Sequence, residues 1–214
     1  MKKKRSSHSP RKSGSKYLSE KIIRPNPFDQ FHSWFQAAVD AKVLQPYAMT
    51  LATASPHGIP TSRIVLLKGV DERGFVFFSN YESTKGKQLA ENPQAALLFY
   101  WPNLERQVRI EGTVERVTRK ESLEYFVSRP RNSRIGAWAS RQSEVIDSRA
   151  VLDEQFQKYQ KLYRNADVPI PEYWGGYRLL PDRIEFWQSR ANRLHDRISY
   201  SRNGVSWNYT RLSP

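Results

Sequence analysis

Strict alternation of apolar and polar residues in the middle of the chain is the feature that most constrains its fold. From Gln107 to Val117, the side chains of Val108, Ile110 and Val114 fall on one side, and polar residues occupy positions between them. A period of two is typical of a β-strand with one buried face. Further β-rich segments occupy residues 47–54, 59–70, 75–79, 95–101, 176–188 and 197–211. Many short strands separated by turn residues predict an antiparallel β-barrel.

Helices are predicted in the connections between these strands. One predicted helix starts at residue 26, and three others cover residues 83–91, 118–127 and 148–163. Asn26 precedes a proline, which is the pattern of an N-cap followed by the first helical position. Thr118 and Glu121 have the spacing of a capping box. Residues 128–133 are interpreted as a basic connector, and the predicted class is mainly β with helices (α+β).

The positive charge is concentrated at the N-terminus. Lysine and arginine total 35 against 21 acidic residues, and seven of these bases lie in residues 1–16 without one acid. A basic, serine-rich and apolar-poor segment favours disorder. Residues 1–24 are therefore predicted to be a solubilising tail, with a nucleic-acid-binding arm as the alternative, and residues 25–214 to form the folded domain.

Several classes of protein are excluded by composition. The chain has no cysteine, which rules out disulfides, a thiol nucleophile and cysteine-ligated metals. Its four histidines are far apart in sequence, so no metal site is predicted. No apolar run approaches the roughly 18 residues of a membrane span, and no apolar stretch follows the basic start as in a secretory signal. We expect a cytoplasmic protein without membrane contact.

Two segments have the chemistry of anion sites. Arg63 and Lys68 bracket an apolar strand, but their positions differ in parity, so a regular strand would direct them to opposite faces. They could serve one pocket only if the strand bulges or if ligands lie around its end. Residues 79–87 join a strand to a helix start that carries hydroxyls and lysines, as in sites at helix N-termini. The alternatives are exposed rim charges and an ordinary N-cap at Ser83.

A second pair of segments offers hydrogen-bond donors. Tyr125 and Arg129 share a helix face, and Ser133 follows a turn at Pro130, so the three could bind a phosphate. The alternative is a solvated helix end.

Residues 193–197, Arg-Leu-His-Asp-Arg, place Arg193, His195 and Arg197 on one side of an extended chain. Such a cationic face favours a negatively charged ligand, and the alternative is an edge strand protected by charge. Trp187 could stack on a flat ring or lie in the core.

The order of these motifs is far more specific than any one of them. The motifs are RIVLLK at 63–68, LERQV at 104–108, SRPR at 128–131, IGAW at 135–138, QS at 142–143, YWGG at 173–176, IEFWQ at 184–188 and RLHDR at 193–197. In this order the sequence closely resembles the pyridoxamine 5′-phosphate oxidase family, from about Pro27 to Pro214. The resemblance implies an FMN-binding split β-barrel of the antiparallel Greek-key type, working as a homodimer with FMN at the interface.

The resemblance also implies the site residues. FMN would be bound from one subunit by Arg63, Ile64, Val65, Leu66, Leu67, Lys68, Phe78, Ser79, Thr84, Lys85 and Gln107. The other subunit would contribute Gln142, Ser143, Trp187 and Arg197. The substrate would be bound by Lys68, Tyr125, Arg129, Ser133, Arg193, Leu194 and His195, with Arg193 and His195 as the catalytic pair. Thr84 departs from the family, because relatives often have arginine there.

The implied reaction oxidises pyridoxamine or pyridoxine 5′-phosphate to pyridoxal 5′-phosphate, by hydride transfer to FMN, with dioxygen reduced to hydrogen peroxide. This is a step of vitamin B6 biosynthesis and salvage. Two alternatives remain at this point. A flavin reductase, or another flavin-binding protein, could use the same fold, and a nucleic-acid-binding protein could use the basic tail with aromatic strands.

Overall fold

The structure, a computed structural model, describes residues 17–214, and their strands form a single antiparallel sheet. The strands are β1 Ala48–Ala54, β2 Pro60–Leu66, β3 Gly69–Asp71, β4 Gly74–Asn80, β5 Gln94–Trp101, β6 Arg106–Arg116, β7 Trp174–Gln188, β8 Asp196–Asn203 and β9 Ser206–Leu212. The helices are α1 Pro27–Asp40, α2 Thr84–Glu91, α3 Arg119–Ser128, α4 Arg131–Ala139 and α5 Arg149–Leu162. The predicted α+β class, dominated by antiparallel strands, is confirmed.

The long strand β7 divides the sheet into two branches. The main order is β2-β1-β5-β6-β7-β4-β3, and β8 pairs with β7 and then with β9. The first half of β7 pairs with β4 and its second half with β8, while β6 runs along its other edge. The pairing of β6 with β7 shifts register between Glu111 and Gly112. Glycine is needed beside this shift, because a Cβ on Gly112 would lie 2.0 Å from the carbonyl oxygen of Leu180.

Helix α1 buries its apolar face against the sheet. The Asn26 side chain accepts a hydrogen bond from the Phe28 amide and so caps the helix, as predicted. The Phe31 ring lies 4.9 Å from Phe75 and 5.1 Å from Phe99, measured between ring centroids. The Trp34 ring packs edge-on against Phe186. Through these aromatic contacts, α1 covers the main core.

The segment predicted as one strand over residues 59–70 is two strands. The Leu67 amide donates to the Tyr47 carbonyl, whereas the next amide, that of Lys68, donates to the Val76 carbonyl. The chain therefore leaves one ladder and joins another at this point, and β2 ends at Leu66. The apolar run at residues 64–67 continues through the change of partner, so the pattern of residues does not indicate the break.

Helix α4 replaces most of the predicted basic connector. Pro130 is the N-cap, which allows a new helix to begin immediately after α3. Ile135 is fully buried and packs with Phe126, Val168 and Trp174 in a second, smaller core. Contacts from β7 and from residues distant in sequence thus stabilise a helix whose first turn, residues 131–134, is entirely polar.

The N-terminal segment packs earlier than residue 25. Residues 1–16 of the predicted tail lie outside the described residues, but Leu18 is buried in the main core. The Arg211 guanidinium donates to the Glu20 carboxylate, with a shortest distance of 2.7 Å, and the Tyr200 hydroxyl donates to the Arg24 carbonyl. In residues 17–214, no helix is both long and apolar enough to cross a membrane.

Candidate functional site

A cavity of about 870 Å³ opens where β2 and β4 meet helices α2, α3 and α4. Its lining includes fourteen of the predicted site residues: Arg63, Ile64, Val65, Leu66, Lys68, Phe78, Ser79, Thr84, Lys85, Tyr125, Arg129, Ser133, Gln142 and Ser143. The break after β2 explains how Arg63 and Lys68 reach one cavity. Lys68 lies beyond the end of the strand, so the parity rule for a regular strand does not apply to this pair.

One end of the cavity is built to receive an anion. Lys85 lies in the first turn of α2, and its ammonium donates to the Gln142 side-chain oxygen at 2.8 Å. Ser79 also donates to that oxygen, at 3.3 Å. Burial, followed by the nearby charge of Arg63, lowers the pKa of Lys85 to about 8. Two cations beside a helix N-terminus disfavour each other until a negative group lies between them.

The start of α2 depends on a glycine. The Ser83 hydroxyl caps the helix by accepting from the Gly86 amide at 3.3 Å. A Cβ at position 86 would lie 2.1 Å from the Tyr81 carbonyl oxygen, so only glycine allows this close approach. Gly86 therefore holds the first turn of α2, with Lys85, against the end of β4.

A second cationic region lies at the other end of the cavity, where a lysine and an arginine pack against stacked aromatic rings. The rings of Phe78 and Tyr125 stack with centroids 4.0 Å apart, and Trp174 stacks on Phe78 at 5.5 Å. The Arg129 guanidinium lies 4.7 Å from the Trp174 ring, and the Lys68 ammonium lies 5.6 Å from Tyr125.

Arg129 is poised for an anionic ligand. Its Nη1 is buried and has no hydrogen-bond partner among residues 17–214. Burial also lowers the pKa of Arg129 from its ordinary value. A buried, unpaired guanidinium N–H is costly, and an anion at this end of the cavity would supply its missing acceptor.

Trp174 lines the cavity but was not among the predicted site residues. Trp174 belongs to the YWGG motif at residues 173–176, and this motif could have indicated it as a site residue. The two glycines that follow allow close packing, because a Cβ on Gly176 would lie 2.7 Å from the Phe78 ring, and one on Gly175 would lie 2.0 Å from the Tyr81 hydroxyl. Asn80, Gly136, Ala137 and Ser140 complete the lining.

The remaining predicted residues lie outside this cavity. Leu67 is buried in the main core. Gln107, Trp187 and Arg197 are direct neighbours across β6, β7 and β8. The His195 ring packs 4.6 Å from the Trp187 ring. Arg193 and Leu194 precede His195 in the turn before β8.

Arg197 is held by a buried carboxylate. Its guanidinium donates to Glu185 at 2.7 Å, and Arg109 donates to the same carboxylate at 2.9 Å. The hydrogen bond to Glu185 raises the pKa of Arg197, so its guanidinium stays positively charged. We call residues 107, 187, 193–195 and 197 the β7–β8 cluster.

One expectation about these residues is corrected. Residues 193–197 are not uniformly extended, because Ala191–Arg193 form a 3₁₀ turn with φ of 57° at Asn192 and 61° at Arg193. The Arg190 amide donates to Nδ1 of His195 at 3.1 Å, which stabilises this turn. Gln142 and Ser143 lie in the same chain's cavity as Arg63, whereas Gln107 lies in the β7–β8 cluster. The assignment of these residues to one subunit or the other stays a prediction.

Comparison with known proteins decides the family. Residues 35–163 match the sequence model of pyridoxamine 5′-phosphate oxidase, and residues 174–214 match that of the pyridoxine 5′-phosphate oxidase C-terminal dimerisation region. The chain belongs to the pyridoxamine 5′-phosphate oxidase family.

Members of the family from distant bacteria are similar over almost the whole chain. A pyridoxine/pyridoxamine 5′-phosphate oxidase from a Nostoc species is 57% identical over 198 residues, covering 92% of both chains. One from Paraburkholderia phymatum is 60% identical over 193 residues, covering 90% of this chain and 91% of its own.

Solved structures agree with this assignment. PhzG from Burkholderia lata, in complex with tetrahydrophenazine-1-carboxylic acid, aligns with a TM-score of 0.86 at 31% identity, covering 91% of this chain and 95% of its own. An FMN-binding protein related to pyridoxamine 5′-phosphate oxidase, from Nostoc punctiforme, aligns with a TM-score of 0.71 at 17% identity, covering 90% of this chain and 100% of its own. The predicted split-barrel fold of the pyridoxamine 5′-phosphate oxidase family is confirmed.

Proposed function

We propose that the protein is an FMN-dependent oxidase that converts pyridoxine or pyridoxamine 5′-phosphate to pyridoxal 5′-phosphate with dioxygen as acceptor. The observation that carries the proposal is the cavity with two separate cationic ends, joined by a wall of stacked aromatic rings. A flavin mononucleotide and a phosphorylated pyridine each have one phosphate and one flat ring. The cavity therefore matches the pair of ligands implied by the family.

The residues at the α2 end fit the phosphate of FMN. Arg63, Lys85 and Ser79 offer two cations and a hydroxyl close to a helix N-terminus, which is a common arrangement for phosphate binding. Phe78, Gln142 and Ser143, together with the backbone of residues 64–68, would hold the rest of the cofactor. Thr84 would contribute a hydroxyl there.

The residues at the α3 end fit the phosphate of the substrate. Arg129 has an unpartnered donor, and Lys68, Tyr125 and Ser133 line the same region. Anchoring the phosphate, which is remote from the reacting carbon, would use binding energy to orient the substrate ring.

The β7–β8 cluster would complete the site from a second copy of the chain. The matched region at residues 174–214 is described as a dimerisation region, and it contains every member of the cluster except Gln107. The edge strand β2 is also suited to an interface, because Ile64 is 63% exposed and Leu66 is 37% exposed although both line the cavity. We therefore propose a homodimer in which Trp187 and Arg197 of one subunit face the cavity of the other.

The proposed reaction removes a hydride from C4′ of the substrate and a proton from the hydroxyl or amino group on that carbon. The two electrons and two protons reach dioxygen, which forms hydrogen peroxide. With the amine substrate, water then releases ammonia. FMN, when bound, supplies a two-electron acceptor for the hydride that leaves C4′. Arg193 and His195 would hold the substrate ring, and the cations of the site would stabilise negative charge that develops near the flavin. Charged substrates of this kind do not cross membranes, which supports a cytoplasmic location.

A spectrum of the purified protein tests the proposal. We expect the visible absorption of a bound flavin, bleaching when pyridoxine 5′-phosphate is added without air, and recovery in air with equal amounts of pyridoxal 5′-phosphate and hydrogen peroxide. Bleaching by a nicotinamide dinucleotide but not by pyridoxine 5′-phosphate would instead indicate a flavin reductase. Protein that binds no FMN after reconstitution would contradict the proposal.

A further inference from the structure

A hydrogen-bonded network of uncharged side chains lies behind Arg63. The Arg63 guanidinium donates to the Thr53 hydroxyl at 2.7 Å, to the Thr61 hydroxyl at 2.6 Å and to the Leu51 carbonyl at 3.2 Å. Both threonine hydroxyls in turn donate to the side-chain oxygen of Gln88, at 2.6 and 2.8 Å. Thr53, Thr61 and Gln88 do not line the cavity, so they act on its contents only through Arg63.

The roles of donor and acceptor in this network are fixed by its chemistry. A guanidinium can only donate, and a hydroxyl has one proton and two lone pairs. Because Gln88 accepts the proton of each hydroxyl, the lone pairs of Thr53 and Thr61 are left for Arg63. Without that acceptor, the hydroxyls could rotate and the guanidinium would lose its oriented partners. Thr53 is only 3% exposed, so water is a poor substitute there.

Gln88 also links the two cations of the α2 end. It lies in α2, one turn after Thr84, and Lys85 is in the first turn of the same helix. Through the threonines of β1 and β2, Gln88 joins this helix to the strand that carries Arg63. The two cations repel each other, so their separation has to be held by other contacts. The network provides those contacts from behind the site.

We propose that Gln88, with Thr53 and Thr61, positions Arg63 relative to Lys85 and thereby sets the affinity for the phosphate of FMN. The inference rests on the proposed function, since it takes FMN as the ligand. Gln88 is a positioning residue and touches neither cofactor nor substrate. Its effect is specific to the phosphate, because the network contacts Arg63 and not the aromatic wall.

Flavin binding to the apoprotein, followed by quenching of flavin fluorescence, tests the inference. FMN and riboflavin, which lacks the phosphate, are the two probes. We expect Thr61→Val, which has nearly the same volume, to weaken FMN binding about tenfold, as for loss of a charge-assisted hydrogen bond. Riboflavin binding should stay within about twofold of wild type. Thr61→Ser, which keeps the hydroxyl, should restore the affinity for FMN.

Gln88→Met is a second variant that leaves the strands untouched and is expected to act in the same direction. Combining it with Thr61→Val should add little, because the two residues act as one unit. Thr113→Val is the matched control, since the hydroxyl of half-buried Thr113 on β6 accepts a hydrogen bond from Gln94 and Thr113 does not line the cavity. In the Thr113→Val control, the affinity for FMN and the kcat at saturating FMN should equal those of the wild type.

The outcomes separate this inference from the proposed function. Wild-type protein that binds no FMN overturns the proposed function, and the inference with it. Wild-type protein that binds FMN, with Thr61→Val and Gln88→Met binding it equally well, overturns the inference alone. An equal loss of FMN and riboflavin affinity would also overturn it, because the network would then support the whole cavity and not the phosphate.

Discussion

The surroundings of Lys85 disfavour its positive charge. The protonation state of Lys85 should therefore control how strongly the anion site binds a phosphate. Burial and the charge of Arg63 lower its pKa to about 8. Only the protonated form attracts a phosphate, so the affinity of the apoprotein for FMN should be greatest below pH 8 and fall above it. Between pH 7 and pH 9 we expect a fall of about tenfold, from the loss of protonated Lys85.

Titration of the apoprotein with FMN at several pH values measures this dependence. Lys85→Arg is the matched variant, because arginine keeps its charge throughout this range. Its affinity for FMN should change much less between pH 7 and pH 9. A wild-type affinity that is constant over this range would contradict the combination of a lowered pKa at Lys85 and its contact with the phosphate.

Arg129 offers a different residue-scale prediction, at the other end of the cavity. Its guanidinium lies over the Trp174 ring, and its Nη1 has no hydrogen-bond partner within residues 17–214. Lysine keeps the charge but has neither the planar stacking surface nor the forked donors. We expect Arg129→Lys to raise the KM for pyridoxine 5′-phosphate about tenfold with a smaller change in kcat. Steady-state kinetics at saturating FMN measures both, and a fall in kcat alone would contradict a role in phosphate binding.

At the scale of elements, helix α3 connects local sequence to the position of the site. The capping box is present as predicted: the Thr118 hydroxyl and the Glu121 carboxylate each bond to the other's backbone amide. Tyr125 lies in this helix, and Arg129 is its C-cap. We expect Thr118→Ala to lower the free energy of unfolding by about 1 kcal/mol. Urea denaturation measures it, and Thr118→Ser should be close to wild type. A Thr118→Ala protein as stable as wild type would show that the cap contributes nothing.

Local signals explain which elements could be predicted from the sequence. Alternation revealed β6, and the Asn26 cap and the capping box at Thr118 revealed the starts of α1 and α3, because all three depend on neighbouring residues. Helix α4 has no side-chain cap and is stabilised by burial of Ile135 in the second core. The break after Leu66 arises from a change of partner strand. Both depend on distant contacts, so the pattern of nearby residues could not indicate them.

As with the fold, the part of the site that belongs to local motifs could be predicted, and the part that depends on contacts between distant residues could not. Fourteen of the residues that were predicted from the order of motifs line one cavity. Residue spacing alone placed Arg63 and Lys68 on opposite faces of a regular strand. The network of Thr53, Thr61 and Gln88 carried no motif, because its residues become neighbours only when α2 packs on β1 and β2.

At the scale of the whole molecule, the separation of the cavity from the β7–β8 cluster leads to the last prediction. If each site combines the cavity of one subunit with the cluster of the other, two inactive variants should complement each other. Arg129→Ala damages the cavity and Arg193→Ala damages the cluster. In a mixed dimer, one site contains both substitutions and the other contains neither. We expect random mixing to restore about a quarter of wild-type activity, because half the dimers are mixed and each has one intact site.

Co-expression of the two variants, or unfolding and refolding of their mixture, provides the mixed dimers for an assay of pyridoxal 5′-phosphate formation. The matched control combines Arg129→Ala with Arg63→Ala. Both substitutions lie in the cavity, so each site of that mixed dimer carries one of them and no activity should return. No recovery in the test mixture would mean that each chain builds its site alone. Recovery in the control would mean that Arg63 and Arg129 of one chain serve different sites. Recovery in the test mixture only would require a site shared between subunits, because no arrangement within one chain can bring an unsubstituted cavity and an unsubstituted cluster together.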